Sequence, residues 1–179
     1  GVLYGKDIET LIYLPKGVTG KYVVPDSVTK INSSAALNHS GLTEIVIGNN
    51  VIEIGEKAFY GCAKLVTVTF KETSKVETIG SEAFAQCKAL ADITLPASLK
   101  TLKDKDGEVL VFDGCAALRE INVEKGSTKF VSTDGVLYGL DETGEITELC
   151  FCPRGYSAND GVLTIPASVT RIWTGAFSG

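Results

Sequence analysis

The chain has 179 residues, and its 17 Lys and Arg against 22 Asp and Glu give a formal net charge of −5. This length suits one domain of ordinary size, and 44% apolar with 22% charged residues disfavour disorder. The acidic balance disfavours a general nucleic-acid binder, and no run approaches the ~18 apolar residues of a membrane-spanning helix. The single His excludes multi-His metal sites and most His-based catalysis, and five Cys cannot all pair internally. Because Met is absent and both ends fall within a repeating pattern, we expect a segment of a longer or processed protein.

An internal repeat organises the chain. Similar segments start at Val28, Val51, Val76 and Leu99, which gives a period of 23 or 25 residues, and Val169 opens a further copy. Two other stretches are similar to each other over a longer distance. GVLYG occurs at 1–5 and 135–139, and LIYLPKG at 11–17 recurs as LCFCPRG at 149–155. We therefore predict one domain, 1–179, with the following parts: a variant module at 1–27, four repeats at 28–129, a second variant module at 130–168 and a truncated repeat at 169–179.

Each repeat predicts two short extended pieces separated by a tight segment. In the second copy, Leu65, Val68 and Phe70 have the alternation of a strand with one buried face. The segment from Glu56 to Tyr60 predicts one or two helical turns, which Ser81 would cap in the next copy. The sequence also predicts left-handed residues where these turns end, at Gly61 and Gly114. A unit of this size cannot bury its own apolar face, so stacked copies predict a solenoid with a continuous core.

The pattern V-x-x-I-G-x-x-A-F-x-x-C-x-x-L-x-x-I-x-L-P resembles the BspA-like, Treponema-type class of leucine-rich repeats. It is carried by VIEIGEKAFYGCAKLVTVTF at 51–70 and VETIGSEAFAQCKALADITLP at 76–96, and loosely by VTKINSSAALNHSGLTEIVI at 28–47. The resemblance implies a right-handed leucine-rich-repeat superhelix of short parallel strands with short helices or turns. It also implies a bacterial cell-surface or secreted setting, with roles in adhesion to host proteins or to other bacteria. The first repeat departs from the pattern because it lacks both Phe and Cys, and the fourth carries an insertion.

Residues at equivalent positions of successive repeats should stack on one another along the predicted core, and we call each member of such a ladder a rung. Phe59, Phe84 and Phe112 share one position, so we expect a buried aromatic ladder. Cys62, Cys87 and Cys115 share another, and His39 occupies that same position in the first repeat. The spacing favours buried free thiols, although coils ~5 Å apart leave a disulfide between rungs geometrically open. For His39 we favour a buried structural His over a general base, because no catalytic constellation can be assembled around it.

Other chemical signals are weaker. Cys150 and Cys152 form C-x-C in a predicted strand, which places both on one face and is poor evidence for a metal. The segment Lys103–Glu108 suggests a calcium loop but lacks the later ligands, so we predict a polar turn. Trp173 stands where other copies have Gly, and it could form an aromatic patch with Tyr138 and Tyr156 or pack in the core. We assign no catalytic residue, no cofactor and no metal site.

The outward side of the main strand ladder is the candidate binding face. In L-x-x-I-x-L the named residues are buried and the intervening ones near the end face outward. Solenoids present such extended faces to partners, although Thr-rich strands are also typical of an ordinary solvated surface. The outward residues are Glu44, Val46, Thr67, Thr69, Asp92, Thr94, Glu120 and Asn122.

Three functions follow from this sequence, in order of support. The first is a non-enzymatic adhesion module, at the cell surface or secreted, that binds host or bacterial surface proteins or glycans. The second is a structural spacer within a larger surface protein. An enzyme is the least supported, and neither nucleic acid nor direct insertion of this segment into a membrane is expected.

Overall fold

The computed structural model describes residues 1–102, 110–157 and 162–178, and within them the chain winds as a solenoid of short β-strands. The predicted turn at Lys103–Glu108 lies outside the described residues. No helix that could cross a membrane occurs in the described part. The strands are β1 Leu3–Tyr4, β2 Thr10–Tyr13, β3 Gly20–Val23, β4 Lys30–Ile31, β5 Leu42–Ile47, β6 Glu53–Ile54, β7 Thr67–Phe70, β8 Thr78–Ile79, β9 Asp92–Leu95, β10 Glu120–Val123, β11 Phe130–Thr133, β12 Val136–Leu140, β13 Ile146–Phe151 and β14 Arg171–Ile172.

Two walls of parallel strands form the solenoid. One wall runs in the order β1-β2-β4-β6-β8, and only its first pair, β1 with β2, is antiparallel. Its register pairs Leu11 with Ile31, Ile31 with Ile54, and Ile54 with Ile79, so equivalent repeat positions stack as the period predicted. The other wall contains β3-β5-β7 and then the pair β9–β10, in which β7 and β9 pack together but belong to different hydrogen-bonded sheets.

The predicted helical turns are wrong, because the tight segments between the walls are successive turns and the described residues contain no helix. In the segment after Gly55, alternate amides donate in two directions. Ala58, Tyr60 and Cys62 donate to the residue three positions back, whereas the amides of Lys57, Phe59 and Gly61 donate sideways to Ser81, Ala83 and Ala85 of the next coil.

Positive φ angles explain why this segment cannot be helical. Lys57 has φ of 54° and Glu82, its equivalent in the next coil, also has 54°, and a helix does not tolerate such residues in its interior. The left-handed conformation expected at Gly61 and Gly114 is confirmed, with φ of 70° and 67°. These glycines close turns, not helices, and Ser81 therefore has no helix to cap.

The core is one apolar column that runs along the solenoid axis. The expected Phe ladder is confirmed: the rings of Phe59 and Phe84 stack with centroids 5.3 Å apart, and those of Phe84 and Phe112 with centroids 6.2 Å apart. The ladder continues beyond the repeats, because Phe151 meets Phe112 edge-on at 5.8 Å. Three coils and the following module thus share one column of aromatic rings.

The second variant module forms a sheet of its own in the order β11-β12-β13-β14. Its first three strands are antiparallel, and β14 then pairs with β13 in parallel, which restores the direction of the regular coils. The module therefore interrupts the parallel ladder without interrupting the apolar core, to which Leu137 and Phe151 both belong.

Candidate binding face

The predicted outward residues lie in two rows across successive strands, and we call this surface the outward stripe. Parallel pairing aligns Glu44 with Thr67 and Val46 with Thr69 on one side of the β7–β9 boundary. Beyond the boundary it aligns Asp92 with Glu120, and Thr94 with Asn122. Thr67, Thr69, Asp92, Thr94 and Glu120 are exposed, and Glu44, Val46 and Asn122 are partly buried.

The residues between the two rows anchor the outward stripe to the core. Ile45, Ile93 and Ile121 are at most 1% exposed, and Val68 is 7% exposed. Strand alternation therefore points the stripe residues away from the solenoid axis, as the period-2 pattern predicted. The stripe thus has a regular, buried apolar row behind it.

The stripe extends one coil further than the sequence indicated. β3 pairs with β5, which adds Lys21 beside Glu44 and Val23 beside Val46. The Lys21 ammonium lies 2.8 Å from the Glu44 carboxylate, so this end of the stripe carries paired charge. The sequence pattern did not predict this strand, because GKYV at 20–23, in the first variant module, does not match the L-x-x-I-x-L pattern of the repeats.

At its other end the outward stripe opens into a concave site that the sequence did not indicate, the corner cavity. Its volume is about 650 Å³. Three acidic residues and one Arg line it, and Tyr156 forms part of the wall. The lining residues are Ala91, Asp92, Arg119, Glu120, Asp134, Tyr156 and Ser157.

Three separate parts of the chain build the corner cavity. β9 and β10 supply the floor, the β11–β12 turn supplies Asp134, and the segment after β13 returns over the floor with Tyr156. The return is held by Gly155, whose amide donates to the Leu118 carbonyl at 3.0 Å. A Cβ on Gly155 would lie 2.6 Å from the Arg119 side chain and 2.9 Å from the Leu118 carbonyl, so only glycine allows this approach.

The thiol ladder is structural. Cys62, Cys87 and Cys115 are fully buried free thiols, as predicted. Burial raises the pKa of Cys62 to about 11 and that of Cys115 to about 12, and it raises the pKa of Cys87 further still. Such thiols are protonated and unreactive at neutral pH. Each donates to a carbonyl oxygen of the preceding coil: Cys62 to Ala36 at 3.2 Å, Cys87 to Phe59 at 3.3 Å and Cys115 to Phe84 at 3.1 Å.

His39 continues this ladder with both ring nitrogens engaged by the backbone. It is 1% exposed, and its Nδ1 accepts from the amides of Leu42 at 3.1 Å and Gly41 at 3.3 Å. Nε2 lies 3.0 Å from the Pro15 carbonyl oxygen, to which it donates because Nδ1 already accepts. The structural interpretation of His39 is therefore confirmed.

The C-x-C cysteines and Trp173, the two other candidate groups, are packing residues. Cys150 lies in the main core, whereas Cys152 follows the end of β13 and packs in a second apolar cluster, so the expectation of one shared face is wrong. Trp173 is 5% exposed and meets Phe130 edge-on at 6.1 Å, and its Nε1 donates to Glu148 at 2.7 Å. It packs in the core, while Tyr138 and Tyr156 belong to the second cluster.

Comparison with known proteins agrees with this architecture. A family model for the BspA type leucine rich repeat region matches residues 18–133 with six copies. The structure of the pneumococcal vaccine antigen PcpA is similar, with a TM-score of 0.72 and 28% identity over 87% of this chain and 42% of that one. A leucine-rich repeat protein from Bacteroides capillosus has a TM-score of 0.54 and 28% identity over 64% of this chain and 86% of its own.

The chain thus spans less than half of the PcpA structure. No curated protein sequence matches it, and no family of enzymes is indicated by the matches. The six-copy match covers most of the chain, and the solenoid repeats in the same register that the sequence predicts. The chain belongs to the BspA-type leucine-rich repeat family.

Proposed function

We propose that this chain is a non-enzymatic adhesion module that binds a protein partner along the outward stripe. The observation that carries the proposal is the alignment of the stripe residues across successive coils, ending in the corner cavity. A row of strands with a concave end offers both an extended contact area and an anchor point. Interfaces of this kind concentrate binding energy where a side chain enters a pocket.

Charge indicates the character of the partner. Among the described residues that line the corner cavity, Asp92, Glu120 and Asp134 are acidic and Arg119 is basic, so their summed charge is negative. A Lys or Arg side chain of the partner would find carboxylates to pair with and the ring of Tyr156 to lie against. A glycan partner is less favoured, because no row of aromatic side chains follows the stripe.

We infer a cell-surface or secreted location for the protein. The similarity to a pneumococcal vaccine antigen supports this, since a vaccine antigen is accessible to antibodies. We also infer that the superhelix is right-handed, the hand that crossover connections between parallel strands take in almost all cases.

A structural spacer is the second candidate. The observation that favours it is the continuity of the core, which contains both Leu11 near one end and Trp173 near the other. A column packed throughout would hold another domain at a fixed distance without any ligand of its own.

A binding screen separates the two candidates. The chain would be applied to immobilised collagen, fibronectin and laminin and to a glycan array, at two salt concentrations. We expect saturable binding to at least one protein, and weaker binding as the Debye length falls from about 10 Å at 0.1 M salt to about 3 Å at 1 M. Binding to glycans alone would contradict the protein partner, and binding to nothing would favour the spacer.

A further inference from the structure

The two GVLYG modules form the same hairpin in the structure. In the first, Leu3 pairs with Tyr13 and Tyr4 pairs with Leu11. In the second, the equivalent pairs are Leu137 with Phe151 and Tyr138 with Leu149. Both registers shift at the same point, between the Leu and the Tyr. Each hairpin therefore presents equivalent residues on equivalent faces, and one can be compared with the other.

On the side of the following coil, the two hairpins make matching contacts. β2 pairs with β4 in parallel, and β13 pairs with β14 in the same way. The amide of Leu14 donates to the Ala35 carbonyl at 2.8 Å, and that of Cys152 donates to the Ala176 carbonyl at 2.7 Å. The modules therefore begin the coils after them by one mechanism.

On the opposite side the second hairpin is covered by a repeat coil. Leu137, Cys150 and Phe151 are fully buried in the main core, where Phe151 meets the ring of Phe112. β11 pairs with the outer edge of β12, and the amide of Ile121 donates to the Gly135 carbonyl at 2.9 Å. Strand β10, the Phe112 rung and β11 together form the cover.

The first hairpin lacks this cover among the described residues. Leu3, equivalent to Leu137, is 52% exposed, and Tyr13, equivalent to Phe151, is 45% exposed. Ile12, equivalent to Cys150, is 36% exposed. Leu3 and Tyr13 are paired directly across the hairpin, so they lie on one side of it, and the second module shows what such a pair packs against.

We propose that the face formed by Leu3 and Tyr13 is a docking surface for another leucine-rich-repeat coil, joined in series ahead of Gly1. The coil is of the type that residues 110–133 provide to the second module. It would bring a strand antiparallel to the outer edge of β1 and an aromatic rung against Tyr13. The variant module is then a two-sided junction that accepts one array and starts the next.

The test is a chain extended at Gly1 by a second copy of residues 76–134, which recreates the natural Asp134–Gly135 junction. Tyr13→Cys, introduced in both the extended and the original chain, reports on the face through its rate of thiol modification. Burial should slow that rate by at least about tenfold, because modification then requires local opening. A Gly/Ser extension of equal length is the matched control and should leave the rate unchanged.

Three results would overturn the proposal. The first is equal modification rates with the coil and with the Gly/Ser extension. The second is rapid modification of the added copy of Cys115, whose preceding coil is part of the extension, since the coil would then not fold on this face. The third is slow modification in the original chain together with a dimer in analytical ultracentrifugation, since a second copy would then occupy the face. A further variant, Leu3→Ser, should restore rapid modification in the extended chain and leave the original chain unaffected.

Discussion

Phe84 lies between two aromatic neighbours in the core and has no exposed surface. Replacing it with Ala removes a rung from the column that joins successive coils. We expect Phe84→Ala to lower the free energy of unfolding by ~3–5 kcal/mol in denaturant melts. Phe177→Ala, at a residue that is 57% exposed, is the control and should cost less than about 0.5 kcal/mol. A loss at Phe84 below about a third of the expected value would mean that the ring column is not a main source of stability.

The thiol ladder predicts a loss of stability at alkaline pH. Burial raises the pKa of Cys62 from 9.0 to about 11, so the folded chain retains a proton that the unfolded chain releases. The stabilisation is complete below pH 9 and is lost as the pH rises towards 11. Urea melts across this range should show the free energy of unfolding falling with pH, and Cys62→Ser should reduce the slope. The same slope in both proteins would contradict this account.

Side-chain rungs were predictable from the sequence because equivalent positions must stack when identical units repeat. That argument gave the Phe and Cys ladders and the place of His39 in one of them. It did not give the separation of Cys150 from Cys152, because the strand ends between them at Phe151 and the register shifts within the β12–β13 pair. The corner cavity was also missed, since it depends on where a distant return segment crosses β10.

At the scale of single elements, the turn segments show where sequence patterns mislead. Glu, Lys and Ala in EKAF favour a helix. Sideways hydrogen bonds to the next coil override that preference and place Lys57 and Glu82 at positive φ. No residue type in the sequence marks these positions, because neither is Gly or Asn.

Close contact between coils explains the glycines that follow β6 and β8, the short strands of the second and third repeats. A Cβ on Gly55 would lie 2.5 Å from the backbone nitrogen of Ser33, and one on Gly80 would lie 2.6 Å from that of Glu56. Asn32 and Trp173 occupy the same position where a variant module precedes the coil. The second and third repeats thus carry glycine here, and the coils that follow a variant module carry larger residues; Lys103, at the same position of the fourth repeat, lies outside the described residues.

Gly55→Ala should consequently separate two coils. We expect a cost of roughly 1–3 kcal/mol in the free energy of unfolding, as for overpacking of a tight interior. Gly17→Ala is the matched control, because nothing lies within 4 Å of its added Cβ. Chemical denaturation of both variants checks the prediction, and equal stabilities would show that the coils are not in close contact at Gly55.

At the scale of the whole molecule, the apolar core joins coils on both sides of the second module. It includes Leu11 and Trp173, and the latter is the one Trp in the chain. Trp173 fluorescence reports on the last coil, and far-UV circular dichroism reports on all the strands. We expect the two unfolding transitions to coincide in denaturant. An earlier transition at Trp173 would show that the coil after the module unfolds independently.

The proposed function is a property of the whole face, since no single residue of the outward stripe carries it. Glu44, Asp92 and Glu120 come from three coils and carry its negative charge together with Asp134. The outward stripe was predictable from the sequence. The corner cavity, its anchor point, was not, because it forms only when the second module folds over β10.

The most direct test compares two triple variants with equal changes in charge. One replaces Glu44, Asp92 and Glu120 with Ala, and the other replaces three exposed acidic residues outside the stripe, Glu9, Glu72 and Glu142. Affinity for the protein identified in the screen would be measured by surface plasmon resonance at fixed salt. We expect the first variant to lose at least about tenfold in affinity, or 1.4 kcal/mol, and the second to bind like the original chain. Equal affinities for the two variants would contradict binding through the outward stripe.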